Sequence, residues 1–296
     1  MKIGYPCINR NIGCTANSTF RLASYSDENL VSKVESNLKC LARILEYNIR
    51  NGLLFFRISS DIVPFASHQV CTFDWASYFK QEFRELGECI RENDIRVSMH
   101  PDQFVLINSP RRDVIEKSIN ELVYHCRVLD SMELNASAKV QIHVGGVYGN
   151  WEKSVERFIE NYVLLSDAVK KRLVIENDDR SYNLRDCISI HNKTGVPVVF
   201  DSFHHECLNN KEPLFDAVMK AGETWQKKDG VLMADYSSQE KGMRKGKHAE
   251  SIDIELFEKF MRETKGIDFD IMLEIKDKEK SALKALKLLK NLNLLR

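Results

Sequence analysis

Hydrophobic positions along this chain fall into two alternating patterns. Short apolar, β-branched runs recur at residues 3–7, 53–59, 95–100, 140–144, 173–176, 196–201, 231–235 and 269–275. They are continuously apolar rather than alternating, as strands buried on both faces are. Between them, apolar residues return at helical spacing: Leu30, Val34, Leu38, Leu41 and Leu45, then Trp75, Phe79, Phe83, Leu86 and Ile90. The same spacing recurs in Ile115, Ile119, Leu122, Cys126 and Leu129 and, more briefly, near 155–162, 256–260 and 283–289. Ser109-Pro110 has the form of a helix start, a hydroxyl cap followed by proline at the first helical position. Eight strand–helix units in one chain of 296 residues predict a single (β/α)8 TIM barrel over 1–296. A doubly wound sheet would place a glycine-rich phosphate loop after the first strand. Here that segment reads Cys7-Ile8-Asn9-Arg10-Asn11-Ile12-Gly13, a poor fit.

The chemistry lies where the strands end. The third run stops at His100, the fourth reaches His143, and the fifth stops at Glu176. The sixth stops at Asp201 with His204 three residues on, the seventh at Asp235, and the eighth reaches Glu274. In a barrel all C-terminal strand ends converge on one face, where active sites are built. A single histidine or aspartate at such a place is ordinarily a hydrogen-bonded loop residue or a helix cap. Four carboxylates on one rim would repel one another unless cations neutralise them. Imidazoles interleaved with carboxylates suit zinc, manganese or iron, whereas magnesium prefers oxygen alone. The pattern therefore predicts a multi-metal site on that face. His248, in the loop after the seventh strand, is a further ligand candidate, and His68, in the loop after the second, a further site candidate. His125 and His191 fall in predicted helices and are expected to be surface or packing residues. Of His204 and His205, only one is expected to point inward.

Composition narrows the class. With 43% hydrophobic and 29% charged residues the chain has the makeup of a core-forming protein, not a disordered one. No apolar run approaches a membrane span, and no apolar signal region opens the chain, so neither membrane insertion nor secretion is expected. The eight cysteines show no CxxC pair, and scattered thiols in a chain of this length point to a reducing compartment. The 43 basic and 43 acidic residues balance, which excludes a wholly basic nucleic-acid coat but not a basic face. Such a face is suggested by the glycine-broken loop with Lys241, Arg244, Lys245 and Lys247, by Arg111 and Arg112 at a helix start, and by Arg57 at the end of the second strand. On the rim of a metal site they point to a polyanion. Tyr5, Asn9, Gln103, Phe104, Tyr148 and Trp151 share that rim, placed to wedge into or stack on bases. A metal cluster on a barrel serves phosphodiester hydrolysis and sugar isomerisation alike, and only the basic rim separates the two.

Across nearly its whole length the chain resembles the ultraviolet damage endonuclease family of TIM-barrel DNA repair enzymes. The stretches are Gly4-Tyr5-Pro6-Cys7-Ile8-Asn9, Arg57-Ile58-Ser59-Ser60-Asp61, His100-Pro101-Asp102-Gln103-Phe104, His143-Val144-Gly145-Gly146, Ile175-Glu176-Asn177-Asp178-Asp179, Asp201-Ser202-Phe203-His204-His205-Glu206 and Leu273-Glu274. The endonuclease IV class of abasic-site nucleases is a related barrel family. The resemblance implies a divalent metal cluster, commonly manganese, with magnesium or zinc as alternatives. It implies that His100 and His143 bind one ion, that Glu176 bridges it to a second held also by Asp201 and Glu274, and that His204 and His248 serve a third. It implies a nick in one DNA strand immediately 5′ to pyrimidine dimers, 6-4 photoproducts and often abasic sites, with Tyr5, Asn9, Gln103 and Phe104 touching the damaged strand. Glu176 and Glu274, with His100 and His143, would form the catalytic set, and Arg244, Lys245 and Lys247 would bind DNA. The chain departs from the family on the seventh strand. Where the family carries Lys-x-His with the lysine carboxylated, this chain has Met233-Ala234-Asp235. Asp235 is then expected to ligate the ion shared by Glu176 and Glu274, and Met233 to pack as a core side chain. The expected protein is a cytoplasmic, probe-and-nick DNA repair enzyme of prokaryotic type, associated with the nucleoid when acting, monomeric, acting on lesion-bearing double-stranded DNA. A sugar isomerase or epimerase on the same barrel and an abasic-site endonuclease are the alternatives.

Overall fold

The structure, a computed structural model, describes residues 1–294. Eight parallel strands close into a barrel in chain order: β1 (Ile3–Pro6), β2 (Phe55–Ile58), β3 (Arg96–Met99), β4 (Lys139–His143), β5 (Leu173–Glu176), β6 (Val198–Asp201), β7 (Leu232–Tyr236) and β8 (Phe269–Leu273). Pairing of Ile3 with Ile271 and of Gly4 with Met272 shuts the ring. Gly4 is required there, because a Cβ would meet the Phe55 carbonyl oxygen at 1.6 Å. Long helices α1 (Asp27–Asn51), α3 (Lys80–Glu92), α4 (Arg112–Ser131), α5 (Trp151–Leu164), α7 (Leu184–Thr194), α9 (Leu214–Glu223), α10 (Ile254–Glu263) and α11 (Glu279–Asn291) surround it. Short helices α2 (Trp75–Tyr78), α6 (Asp167–Lys170) and α8 (Ser202–Cys207) lie in the connections. No helix among the described residues is long and apolar enough to cross a membrane.

Helix ends are set by local side chains. Ser26 accepts from the Asn29 amide to start α1, and Gly52, at φ 72°, ends it in the left-handed conformation. The start of α4 is not where the Ser109-Pro110 signal put it. The helix begins at Arg112 with no side-chain cap, and the Ser109 hydroxyl is spent on the Arg111 amide in the preceding turn.

Side chains alternate along each strand, so residues two apart share a face. One set faces the helices: Phe56, Val97, Ile142, Ile175, Phe200 and Ile271 join the main core. The other set fills the barrel in three layers. At the lower, N-terminal end, Arg96 pairs with Asp270 at 3.0 Å and Lys139 with Asp229. In the middle, Phe55, Val174, Val199, Met233 and Met272 form a separate apolar cluster, so Met233 packs as a core side chain. At the upper, C-terminal end the same register presents Arg57, Gln141, Glu176, Asp201, Asp235 and Glu274.

One thiol expectation is corrected. Cys14, in the loop after β1, reaches Cys40 on α1 and forms a disulfide with it, while the other six cysteines are free. The loop folds back on α1, and Asn37 fastens it further through bonds to the Ser18 amide and carbonyl at 2.8 and 3.0 Å.

Candidate metal centre and nucleic-acid rim

Two groups of side chains present ligand atoms within 4.8 Å of one another: His100, His143 and Glu176, and Glu176, Asp201 and His204. Glu176 belongs to both. It ends β5 in the inward register and is almost fully buried. Its Oε2 lies 3.3 Å from His100 Nε2 and 3.9 Å from His143 Nε2, and its Oε1 lies 2.9 Å from His204 Nδ1. The imidazoles of His100, His143, His204 and His248 follow one another around the rim with ring centres 5.3, 5.6 and 5.9 Å apart. His100 donates from Nδ1 to the Pro101 carbonyl at 2.8 Å, which turns Nε2 toward Glu176 as a ligand histidine requires.

Asp201 has two tasks. Its Oδ1 accepts from the His204 amide at 2.7 Å and so caps α8, while Oδ2 is buried without a hydrogen bond. Glu176 Oε1 is likewise buried and makes no well-directed hydrogen bond, with His204 Nδ1 its close neighbour at 2.9 Å. Buried carboxylate oxygens lacking well-directed hydrogen bonds, beside imidazole nitrogens, are what a divalent cation completes, so these residues fit a metal of the zinc, manganese or iron type. Electrostatics point the same way. Burial raises the Asp201 carboxyl well above the usual range, and neighbouring Glu176, Glu274 and Asp235 add to this against the pull of His204. For Glu176 burial is overridden by the imidazoles of His143, His100 and His204, which hold it well below the usual range. Burial would lower His204, but Asp201 and Glu176 lift it to about 12. A site that gathers protons this way gathers metal cations by the same charge.

Asp235 and Glu274 lie outside the two groups. Asp235 Oδ2 accepts from Arg57 at 2.8 Å and from Gln141 Nε2 at 2.6 Å, and Glu274 is ion-paired with the same guanidinium. Burial lifts the Asp235 carboxyl to about 7 even against Arg57, while Arg57 overrides burial at Glu274 and brings it to about 2. Both were expected as ligands; in the structure each is ion-paired with Arg57. Arg57 itself is corrected from a basic rim residue to an interior one, 3% exposed, because its parity in β2 turns it into the barrel. Its charge is held by burial between two carboxylates, which raise its pKa against desolvation. Gln141 was missed by the sequence reasoning. The signal was present: a polar residue two positions before His143 in an apolar strand, hence on the same inward face. Asn177, also missed, clamps Asp201 by two bonds, at 2.9 and 3.0 Å, to its carbonyl and amide.

His248 lies at the rim, donating from Nδ1 to the Glu274 carbonyl at 2.9 Å, but in neither ligand group. His68 is not brought to the ligands: its Nδ1 accepts from the Val70 amide at 3.1 Å and its ring lies 6.4 Å from Phe65. His125 packs inside α4, where burial lowers it to about 4, and His205 is buried against Phe200.

The rim is divided. Gln103 and Phe104 are exposed on the loop after β3, Phe104 by 60%. Arg244 and Lys245 are exposed and Lys247 half-buried on the loop after β7. Tyr5 and Asn9 are corrected: both are buried, because Tyr5 has the outward parity of β1. Its hydroxyl donates to Asn48 Oδ1 at 2.6 Å and accepts from Asn9 Nδ2 at 2.7 Å. They shape the β1 loop. A cavity of about 640 Å³ opens at the lower end of the barrel, away from these residues; among its charged lining groups Arg96 pairs with Asp270 and Lys2 with Asp94.

Residues 1–296 match the sequence model of the family described as UV-endonuclease UvdE. The chain is 41% identical over 295 residues to a UV DNA damage endonuclease of Clostridium perfringens (strain 13 / Type A), covering 99% of this chain and 72% of the relative. The crystal structure of SacUVDE is similar with a TM-score of 0.96 at 46% identity, over 100% of both chains. A D-psicose 3-epimerase from Clostridium cellulolyticum H10 is similar in fold alone, with a TM-score of 0.55 at 14% identity over 84% of this chain and 92% of its own.

Proposed function

The chain belongs to the UV-endonuclease UvdE family, and on that premise we propose that it is an endonuclease that cuts one strand of double-stranded DNA beside ultraviolet damage. The cut falls immediately 5′ to pyrimidine dimers and 6-4 photoproducts, and abasic sites are a further substrate. The observation that carries the metal dependence is the double membership of Glu176, whose buried carboxylate serves two ligand groups. His100, His143 and Glu176 hold one divalent ion, and Glu176, Asp201 and His204 a second. Manganese fits this mixed nitrogen and oxygen donor set, with magnesium or zinc as alternatives.

Divalent ions at such a site neutralise the scissile phosphate and activate a water. The chain's own residues do the rest. Glu176 fixes the spacing of the two groups and orients the water. The water oxygen would bond phosphorus in line with the departing 3′ oxygen as the P–O3′ bond breaks; the water's proton would pass to solvent and the 3′ oxygen take one up, leaving a 3′-hydroxyl and a 5′-phosphate. Arg57 holds Asp235 and Glu274 in place beside it. Gln103 and Phe104 probe the stack, since a damaged pair is opened at lower cost than an intact one. Arg244, Lys245 and Lys247 meet the phosphates, with His248 at the edge of the site. The chain works as one domain and as a monomer, in the cytoplasm and on nucleoid DNA.

The test is a duplex oligonucleotide bearing one thymine dimer, incubated with protein and manganese. A single nick at the 5′ side of the dimer, abolished by chelator and restored by metal, is expected. No cleavage of the damaged strand, with sugar epimerisation instead, would overturn the assignment.

A further inference from the structure

Phe104 has a neighbour of the same kind on the next loop. Tyr148, between β4 and α5, is 44% exposed, on the same C-terminal face as His143. Its backbone is in the left-handed region at φ 50°, where a residue with a Cβ is strained. Such strain is kept only where the surroundings impose it. The surroundings do impose it. The far edge of the ring lies against Gly146, where a Cβ would approach Cζ and Cε2 at 2.9 and 3.0 Å, so only glycine admits the ring. The Arg157 guanidinium lies over the ring at 5.5 Å and is itself fixed, donating to the Asn108 carbonyl and the Ser154 hydroxyl at 2.8 Å each. Asn108 lies on the loop that also carries Phe104, and its Nδ2 donates to the Gly146 carbonyl at 2.8 Å. One side chain thus stitches the two aromatic-bearing loops together.

An aromatic ring backed by a cation, held by a strained backbone and left open to solvent, is a preformed stacking surface. We propose that Tyr148 is a second stacking platform, receiving a nucleobase that the lesion leaves unpaired, and works with Phe104 as a two-point grip on opened DNA. The proposal rests on the DNA-cleaving function above. Preorganisation matters here, because a ring already fixed loses little freedom when a base stacks on it.

The test uses fluorescence anisotropy with a thymine-dimer duplex and its undamaged counterpart, on the full chain. Tyr148→Ala is expected to weaken binding to the damaged duplex by about tenfold, as loss of one base stack does. Binding to undamaged duplex, and Tyr148→Phe on either duplex, should stay within about twofold. The dependence of affinity on salt should be the same in all variants, since no phosphate contact is removed. Tyr148→Asn guards against misfolding: asparagine accepts the left-handed conformation, so its melting temperature should equal or exceed that of the wild type while damaged-duplex binding falls as for alanine. Tyr148→Ala binding within about twofold of wild type on damaged duplex, or an equal loss on both duplexes, overturns the platform. Wild type binding both duplexes alike overturns the endonuclease assignment, and the platform with it.

Discussion

The barrel interior has a polar layer at each end, and the two are built to different rules. At the lower end each buried charge has a built-in partner: Arg96 with Asp270, Lys139 with Asp229, and the Lys2 amide on Asp270 at 2.7 Å. Trp225 lies 5.3 Å from the Arg96 guanidinium and 5.9 Å from the Lys139 ammonium, covering both. At the upper end four carboxylates meet, and the ion pairs of Asp235 and Glu274 go to the same guanidinium, Arg57. Glu176 and Asp201 have no cationic side chain of lysine or arginine; Glu176 is met by Gln141 at 2.5 Å and by imidazoles, Asp201 by the His204 amide and ring, and Asp201 keeps a buried oxygen without a hydrogen bond. A layer that balances itself contributes to the fold. A layer that needs a cation from outside is prepared for chemistry.

Substitution should break that contrast in opposite ways. The largest effect is expected at the top. Glu176→Gln keeps shape and removes the charge shared by both ligand groups, so nicking should fall by roughly a thousandfold or more, with a melting temperature near wild type. Metal content by elemental analysis should fall in parallel, and a variant that keeps both metal and rate would erase the distinction between the layers. At the bottom the outcome should invert. Asp270→Asn leaves Arg96 without its carboxylate and should lower stability by about 3–5 kcal/mol in urea unfolding, while cleavage per folded molecule stays within about twofold.

A third probe lies in neither layer. Burial holds His125 neutral with its pKa at about 4, against an ordinary value near 6.5. The unfolded chain binds a proton there as pH falls below about 6.5, and the folded chain does not until about 4. Stability is therefore full above the unfolded value and declines by roughly 3 kcal/mol between those limits. Melting curves of wild type and His125→Gln from pH 7 to 4 should show a shallower acid decline in the variant; parallel curves would locate the acid response elsewhere. The smallest effect is expected at Asp235. Asp235→Asn should cost about 1–2 kcal/mol through a weakened bond to Arg57 and leave metal content unchanged. Loss of an ion would return Asp235 to the ligand set.

Much of this was legible in the sequence, for physical reasons that also explain the misses. His100, Glu176 and Asp201 stand out because a buried apolar strand ends abruptly in a group that water or metal must satisfy. Arg57 and Tyr5 lie one residue before the ends of their strands, but position in the chain does not reveal parity, and one residue decides between barrel interior, helix-facing core and rim. Parity would also have exposed Gln141. Cys14 and Cys40 could not be paired in advance, since their meeting depends on how the β1 loop folds back over α1. The start of α4 moved because the Ser109 hydroxyl accepts from the Arg111 amide in the preceding turn and so does not cap the helix.

The two-residue alternation of the strands makes the chain sensitive to insertion in a position-dependent way. One extra residue between Val174 and Glu176 would rotate the glutamate out among the helices and turn an isoleucine toward His100, His143 and His204. The protein would lose its chemistry and bury a stray carboxylate in a single step. The same insertion in the connection of residues 208–213, between α8 and α9, only lengthens a surface segment. Length variation among descendants of this gene should therefore collect in the connections and stop sharply at the strand boundaries.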